Sequence, residues 1–114
     1  MQKEIIERFV GAWNNEDNSE RHRLLQLSFD DNGSYSDDFV TKKLTSLNEL
    51  HFFINKFRIS ISNSITLKGE PKFHQDCFRF NLEIKKVSNE VVNSTFFGEI
   101  EKNKIKSIIG FIDD

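Results

Sequence analysis

The stretch Cys77-Phe78-Arg79-Phe80-Asn81-Leu82-Glu83-Ile84-Lys85 has the most regular pattern in the chain. Successive side chains of an extended strand point to opposite faces. The apolar residues Phe78, Phe80, Leu82 and Ile84 therefore share one face, and the polar residues between them share the other. This alternation predicts a strand with one face in a core and the other facing water or a partner subunit. We expect this strand to be the centre of an antiparallel sheet.

The composition is that of an ordinary globular protein with an unusual set of aromatic residues. The 114 residues are predicted to form one domain, residues 1–114, which is long enough for one core. Twelve Phe residues accompany one Trp and one Tyr. A core so rich in Phe can line an apolar cavity that offers few hydroxyl groups to a ligand.

Several classes of protein are excluded by what the sequence lacks. No apolar run approaches the roughly 20 residues of a membrane-spanning helix, and the N-terminal segment has charges among its apolar positions, unlike a secretory signal. Cys77 is the only cysteine, which fits a reducing compartment, so we expect a cytoplasmic protein. The basic residues are not clustered enough to indicate nucleic acid binding. The scattered histidines and the absence of phosphate-binding or dinucleotide motifs predict no metal and no cofactor.

Three helices are predicted upstream of the Cys77–Lys85 strand. Apolar residues at helical spacing predict a first helix over about residues 2–14. Asp17, three residues before Glu20, has the spacing of a helix cap and predicts a second helix that ends near Phe29. Ser46 and Glu49 have the same spacing and predict a third helix, with Leu47, Leu50, Phe53, Ile54 and Phe57 on one face.

The remaining segments are predicted to be strands and turns. Residues 30–33 (DDNG) indicate a turn, and residues 34–37 (SYSD) a short strand. From Arg58 onward the apolar residues recur with period two, at Ile59, Ile61, Ile65 and Leu67. Residues 69–71 (GEP) are predicted to interrupt this strand pattern. Two further strands, over about residues 91–100 and 104–111, follow the Cys77–Lys85 strand. Helices followed by a run of strands indicate an α+β fold.

The order and spacing of these elements resemble the nuclear transport factor 2-like superfamily, and within it the SnoaL-like and ketosteroid-isomerase-like group. The resemblance rests on Ala12-Trp13-Asn14, on Gly33-Ser34-Tyr35-Ser36-Asp37, on Gly69-Glu70-Pro71 before the central strand, and on Ile108-Ile109-Gly110-Phe111. It implies a cone-shaped (cystatin-like), strongly curved antiparallel sheet wrapped around three N-terminal helices, with an apolar pocket at one end. It also implies a homodimer through the outer sheet face. Members include isomerases, cyclases, dehydratases and hydrolases, so the fold alone does not give a reaction.

The isomerase members use an Asp base with a Tyr and a protonated Asp as oxyanion-hole donors. The resemblance puts Phe9 where the Tyr belongs, and Phe96, give or take one residue, where the protonated Asp belongs. Only Asp37 falls on a matching position. Since Phe rings supply no hydrogen-bond donor to a developing enolate, the sequence argues against the familiar isomerase mechanism.

Tyr35, Asp37 and His74 are the candidate catalytic residues. Tyr35 and Asp37 lie two apart on a strand and so share a face, where Asp37 is a candidate base or polar anchor. The alternative is that Asp37 and Asp38 open the following loop. His74 precedes the central strand and is a candidate acid or base at the cone mouth, or else a solvated loop residue.

The candidate pocket walls are Phe9, Trp13, Phe53, Phe57 and Phe97, for which ordinary core packing is the alternative. Three functions remain open. The first is binding of a small apolar or amphipathic molecule, with Asp37 as the polar anchor. The second is a cyclase or isomerase type of enzyme that uses Asp37 as general base, and the third is a non-catalytic interaction module that uses the sheet face. We expect neither nucleic acid nor membrane as a partner.

Overall fold

The computed structural model describes residues 2–60 and 64–113, and within these ranges it shows an α+β fold of three helices and one five-stranded mixed sheet. The helices are α1 (Gln2–Asn14), α2 (Asn18–Ser28) and α3 (Leu47–Ser60). The strands are β1 (Phe29–Ser36), β2 (Ile65–His74), β3 (Cys77–Lys85), β4 (Val91–Glu101) and β5 (Lys104–Ile112). None of the described helices is long and apolar enough to cross a membrane.

The two predicted helix caps are confirmed. The Asp17 carboxylate accepts a hydrogen bond from the backbone N–H of Glu20 at 3.0 Å, which satisfies one of the free donors in the first turn of α2. The Ser46 hydroxyl accepts from the N–H of Glu49 at 3.1 Å at the start of α3. The Glu49 carboxylate reaches back to the N–H of Thr45 at 2.7 Å, so the entry to α3 is fixed from both sides.

The strand order β1-β5-β4-β3-β2 corrects two expectations about the sheet. The sheet is not wholly antiparallel, because β1 pairs with β5 in parallel. Its centre is β4 and not β3, because β1 adds a fifth strand beyond β5 that the sequence did not predict there. The two faces of β3 are as predicted, with Phe78, Phe80, Leu82 and Ile84 buried and Arg79, Asn81 and Lys85 exposed.

Two segments predicted as turns or breaks lie inside strands. Residues 30–33 belong to β1, whose pairing with β5 is irregular between Phe29 and Ser34. Gly69 lies inside β2, where its positive φ of 76° accompanies a shift in pairing between Lys68 and Lys72. In both places the turn-like residues mark an irregularity in the pairing, because extra residues bend a strand without ending it.

The third helix is longer than predicted. Arg58, Ile59 and Ser60 belong to α3 and do not begin a strand. The Arg58 side chain donates to the backbone carbonyl of Trp13 at 2.9 Å and so ties the last turn of α3 to α1. This tertiary contact favours a helix at Ile59, although the β-branched side chain of Ile59 by itself favours a strand. The predicted strand position Ile61 lies outside the described residues.

Phe rings on the inner face of the sheet lie over glycines of the neighbouring strand. Phe78 pairs with Gly98, and Phe96 pairs with Gly110. A Cβ atom on Gly98 would lie 2.4 Å from Phe78 Cζ, and one on Gly110 would lie 2.2 Å from Phe96 Cε2. Only glycine fits beneath these rings, so the rings can lie flat against the sheet.

The Phe rings form a continuous row across β3 and β4. Phe78 stacks on Phe80 at a centroid distance of 5.8 Å, and Phe80 stacks on Phe96 at 5.3 Å with an interplanar angle of 8°. Tyr35 of β1 continues the row, 6.4 Å from Phe96. The inner face of the sheet therefore presents an aromatic surface to the helices.

The buried Arg21 holds the helices together. Its guanidinium donates to Asn55 Oδ1 at 2.7 and 3.0 Å and to the Asn15 carbonyl at 2.5 Å, which joins α2 to α3 and to the α1–α2 turn. His22 lies beside it, half-buried and stacked on His51 with ring centroids 4.9 Å apart. The stacked rings add a contact between α2 and α3.

Candidate functional site

A cavity with a largely aromatic wall lies between α1, α3 and one end of the sheet. Its rings come from Phe9, Trp13, Tyr35, Phe57 and Phe96, and aliphatic side chains of β2 and β3 close it on one side. The loop after β1 forms its mouth. Its volume is about 30 Å³, which is room for a water molecule or a few non-hydrogen atoms of a ligand.

Trp13 is at the centre of this aromatic wall. It lies one helical turn from Phe9 on α1, so both rings face the sheet. The Phe57 ring of α3 meets the Trp13 ring edge-on at 5.1 Å, and the Tyr35 ring lies 5.7 Å away. Contacts on several sides fix the indole at the inner end of the cavity.

Tyr35 and Asp37 form the polar end of the cavity. The buried Tyr35 hydroxyl donates to Asp37 Oδ2 at 2.5 Å. Burial, together with the charge and hydrogen bond of Asp37, raises the pKa of Tyr35 well above its usual value. The phenol therefore keeps its proton at physiological pH and donates a hydrogen bond to Asp37.

The second Asp37 oxygen holds the loop that follows β1. Asp37 Oδ1 accepts from the N–H of Phe39 at 2.8 Å, which is the hydrogen bond of an Asp that opens a turn. The next residue, Asp38, accepts from the N–H of Ile112 and anchors the loop to the end of β5. The two sequence interpretations of Asp37 are thus compatible, because one carboxylate both opens the loop and faces the cavity.

Two buried polar atoms in the cavity wall have no hydrogen-bond partner among the described residues. These are the indole Nε1 of Trp13 and the hydroxyl of Ser94, whose residues are 5% and 3% exposed. Ser94 was not among the residues predicted for the site. Its position follows from alternation along β4, since Ser94 and Phe96 share the inner face. Buried polar groups in proteins are nearly always paired, so these two atoms indicate a place for a ligand or water.

Five of the eight predicted site residues line this one cavity: Phe9, Trp13, Tyr35, Asp37 and Phe57. Phe53 is partly buried behind them, with its ring 6.1 Å from Trp13 and 5.9 Å from Tyr35, so it supports the wall and does not face the cavity. The other two predicted residues, Phe97 and His74, lie elsewhere.

Phe97 is a correction. Its neighbour Phe96 points inward, so alternation places Phe97 on the outer face of the sheet, where it is 42% exposed and contacts Phe111. A shift of one residue along β4 exchanges the two faces. The prediction identified the correct strand, but the residue that faces the cavity is Phe96 and not Phe97.

His74 is the second correction. It is exposed at the end of β2 and pairs with Cys77, whereas the cavity lies at the other end of this strand pair, where Ile65 pairs with Ile84. The seven residues from Cys77 to Ile84 along β3, at about 3.3 Å each, put His74 roughly 20 Å from that end. His74 is therefore not part of the cavity lining that contains Asp37. Within the described residues, no group of three or more His, Cys, Asp or Glu side chains is placed to hold a metal ion.

Comparison with known proteins identifies the fold. No family model and no curated protein sequence matches the chain. A candidate isomerase of the SnoaL-like family from Agrobacterium tumefaciens superposes with a TM-score of 0.88 at 23% identity, over 99% of this chain and 98% of that one. The chain has the nuclear transport factor 2-like fold.

Two further solved structures share this fold. A protein with a ketosteroid isomerase-like fold from Catenulispora acidiphila, in complex with trimethylamine, has a TM-score of 0.79 at 15% identity and covers 94% of this chain and 83% of its own. A nuclear transport factor 2-like protein of unknown function from Cytophaga hutchinsonii has a TM-score of 0.75 at 11% identity, over 99% and 90%. The resemblance seen in the sequence is confirmed at the level of the nuclear transport factor 2-like fold.

Proposed function

We propose that the chain binds a small, mostly apolar molecule in the cavity, with Asp37 and Tyr35 at its polar end. The observation that carries the proposal is that Trp13 Nε1 and Ser94 Oγ, two buried polar atoms of lining residues, have no partner among the described residues. Leaving a buried polar group unpaired costs about 1–3 kcal/mol. A ligand that supplies a partner to each atom removes that cost.

The form of the sheet supports this proposal. The pairing is irregular in β1, in β2 and between β4 and β5, and extra residues of this kind bend strands, so we propose that the sheet curves around the helices as a cone. The cavity volume of about 30 Å³ limits what lies inside to a few atoms. The rest of a ligand would lie at the mouth beside Phe39, which is 59% exposed. The relative crystallised with trimethylamine is consistent with a very small ligand.

The single tryptophan of the chain makes the proposal testable. The Trp13 indole N–H gives one resolved signal in a nitrogen–proton NMR spectrum, and a ligand in the cavity should shift it. A panel of small amines, alcohols and ketones would be titrated while this signal is followed. Ser94→Val should weaken binding and leave the rest of the spectrum in place. A panel in which no compound moves the Trp13 signal contradicts the proposal.

A second candidate function is an enzyme of the cyclase or isomerase type, with Asp37 as general base. It is favoured by the position of Asp37 at the cavity mouth, within hydrogen-bond distance of the Tyr35 hydroxyl. His74 has no part in it. Asp37→Asn should abolish turnover of any substrate found, while that substrate still shifts the Trp13 signal. Undiminished turnover by this variant rules out the role of Asp37 as base.

We also propose that a second copy of the chain covers the outer sheet face. Phe97, Ile109 and Phe111 are 41–48% exposed there, beside the exposed Arg79. Apolar side chains in such a group mark association surfaces. Sedimentation of the wild type should show a homodimer, and Phe97→Ser should weaken it. A wild type that stays monomeric at high concentration contradicts the dimer and favours the alternative, a face for other proteins.

The proposed location is the cytoplasm. Cys77 is an exposed free thiol, and such a thiol is stable in a reducing compartment. Cell fractionation with an antibody against the chain tests this location, and recovery from an oxidising compartment contradicts it.

A further inference from the structure

The ionisable groups that line the cavity are acidic. As far as the described residues show, the lining contains the carboxylates of Asp37 and Asp38 and the phenol of Tyr35, and it contains no Lys, Arg or His. Neither carboxylate is in an ion pair with another described residue. The hydroxyl of Tyr35 is a donor to Asp37 and carries no charge. The electrostatic potential at the mouth is therefore negative.

The aromatic wall adds to this preference for positive charge. The rings of Trp13, Tyr35, Phe57 and Phe96 surround the cavity, with Trp13 5.1 Å from Phe57 and 5.7 Å from Tyr35. The face of an aromatic ring carries partial negative charge and attracts an ammonium group, and Trp is the strongest of these rings. A set of rings with carboxylates at the mouth suits an alkylammonium ion.

The hydrogen-bonding groups indicate what else the ligand carries. Each carboxylate oxygen of Asp37 accepts one hydrogen bond, from Tyr35 or from Phe39, and has a second lone pair free. The Ser94 hydroxyl can accept from an N–H or donate to an oxygen. The buried Trp13 Nε1 can only donate, so it needs an oxygen atom in the ligand.

We propose that the cavity takes a small organic cation, an alkylammonium group with an oxygen on a short arm. The oxygen on its arm enters the cavity and accepts from Trp13, while the ammonium group lies at the mouth, close to Asp37 and beside the aromatic wall. The inference rests on the proposed function, since it names the ligand class of the same site. An anion of equal size would face two carboxylates with no cationic side chain to balance it. A neutral molecule would lose the attraction of both the rings and the carboxylates.

The test compares two ligands of the same shape on the wild-type protein. Choline is one, and the other is the neutral alcohol in which a quaternary carbon replaces the ammonium nitrogen. Choline should shift the Trp13 indole signal and bind about tenfold more tightly or better, which corresponds to about 1.4 kcal/mol. Tetramethylammonium, which lacks the arm, should bind more weakly than choline. Added salt should weaken choline and leave the alcohol unchanged.

Two variants test whether the preference for choline over the alcohol depends on the charge of Asp37. Asp37→Asn keeps an acceptor for Tyr35 and removes the charge, so the preference for choline over the alcohol should fall to near equality. Asp31→Asn is the matched control, because Asp31 is exposed and is not part of the cavity lining, and it should leave the preference unchanged.

Each outcome has a distinct meaning. If the alcohol shifts the Trp13 signal and binds as tightly as choline, the cation inference is wrong while the proposed binding function stands. If tetramethylammonium equals choline, the oxygen partner assigned to Trp13 is wrong. If neither choline nor the alcohol, nor any compound of the wider panel, moves the Trp13 signal, the proposed function fails together with the inference.

Discussion

The contact between Phe96 and Gly110 gives the sharpest prediction for the fold. A Cβ atom at position 110 would lie 2.2 Å from Phe96 Cε2, with two more ring atoms at 2.6 and 2.7 Å. Carbon atoms in favourable contact are about 3.5–4.0 Å apart, so Gly110→Ala creates an overlap of more than about 1 Å. The ring cannot tilt freely, because Phe80 stacks on it at 5.3 Å and Tyr35 lies 6.4 Å away.

Gly110→Ala should therefore lower the free energy of unfolding by about 2–3 kcal/mol, the upper part of the range for overpacking a core. At about 4–8 °C per kcal/mol for a domain near 100 residues, the melting temperature should fall by roughly 10 °C or more. Urea unfolding, followed by the fluorescence of Trp13, gives the free energy directly.

A double-mutant cycle separates this overlap from other effects of the substitution. In a Phe96→Leu background the ring is absent, so Gly110→Ala should cost less than about 0.5 kcal/mol or stabilise slightly by restricting the unfolded chain. Gly11→Ala is the matched control. Its Cβ would lie 3.7 Å from Leu24 Cδ1, an ordinary contact in the middle of α1, and it should stabilise by about 0.5–1 kcal/mol. Equal costs of Gly110→Ala in the two backgrounds would refute the assignment to Phe96.

Three further predictions concern buried polar groups. Because the pKa of Tyr35 is raised by burial and by a neighbouring carboxylate, stability should fall as the pH rises above about 10, and Tyr35→Phe should reduce that slope in alkaline urea titrations. Burial, followed by the charges of His22 and Arg21, lowers the pKa of His51. The free energy of unfolding should therefore fall as the pH drops below about 6.5, and it should fall less in the His51→Phe variant. Urea unfolding midpoints measured at about pH 7 and pH 5 test this. Arg21→Met leaves Asn55 Oδ1 without its donor and should lower the free energy of unfolding in urea by about 2–3 kcal/mol. Arg21→Lys should restore only part of this loss, because lysine lacks the two adjacent N–H donors of the planar guanidinium.

The local patterns of the sequence predicted the helices and β3 well, because a cap or an alternation is decided by neighbours along the chain. They failed where a distant segment decides the structure. Residues 30–33 have the composition of a turn, yet they lie inside β1 because Phe29 and Ser34 on either side of them pair with β5. Ile59 favours a strand, yet α3 continues through it after Arg58 bonds to α1. In each case tertiary contacts overrode local preference.

The site was predicted in part for a related reason. Trp13 was found from helical spacing, whereas Asp37 was found from the family resemblance and Tyr35 from its place two residues before Asp37. The choice between Phe96 and Phe97 needed the register of β4, which no local pattern supplies. His74 was misplaced because its distance from Asp37 depends on the order of the strands, which puts β1 and β2 at opposite edges of the sheet. Ser94 follows from Phe96 by alternation, so a correct register would have given both.

The parallel pairing of β1 with β5 has a consequence for how the chain folds. Phe29 pairs with Ile105, and Tyr35 with Ile108, so the first strand finds its place only beside the last. Contacts between such distant segments form slowly, because a long loop must close first. During synthesis the β1 segment, which carries Tyr35, cannot complete its pairing until β4 and β5 have left the ribosome. The cavity is therefore assembled late, and a nascent chain that lacks β5 would lack the part of the cavity wall that Gly110 and Ile112 supply.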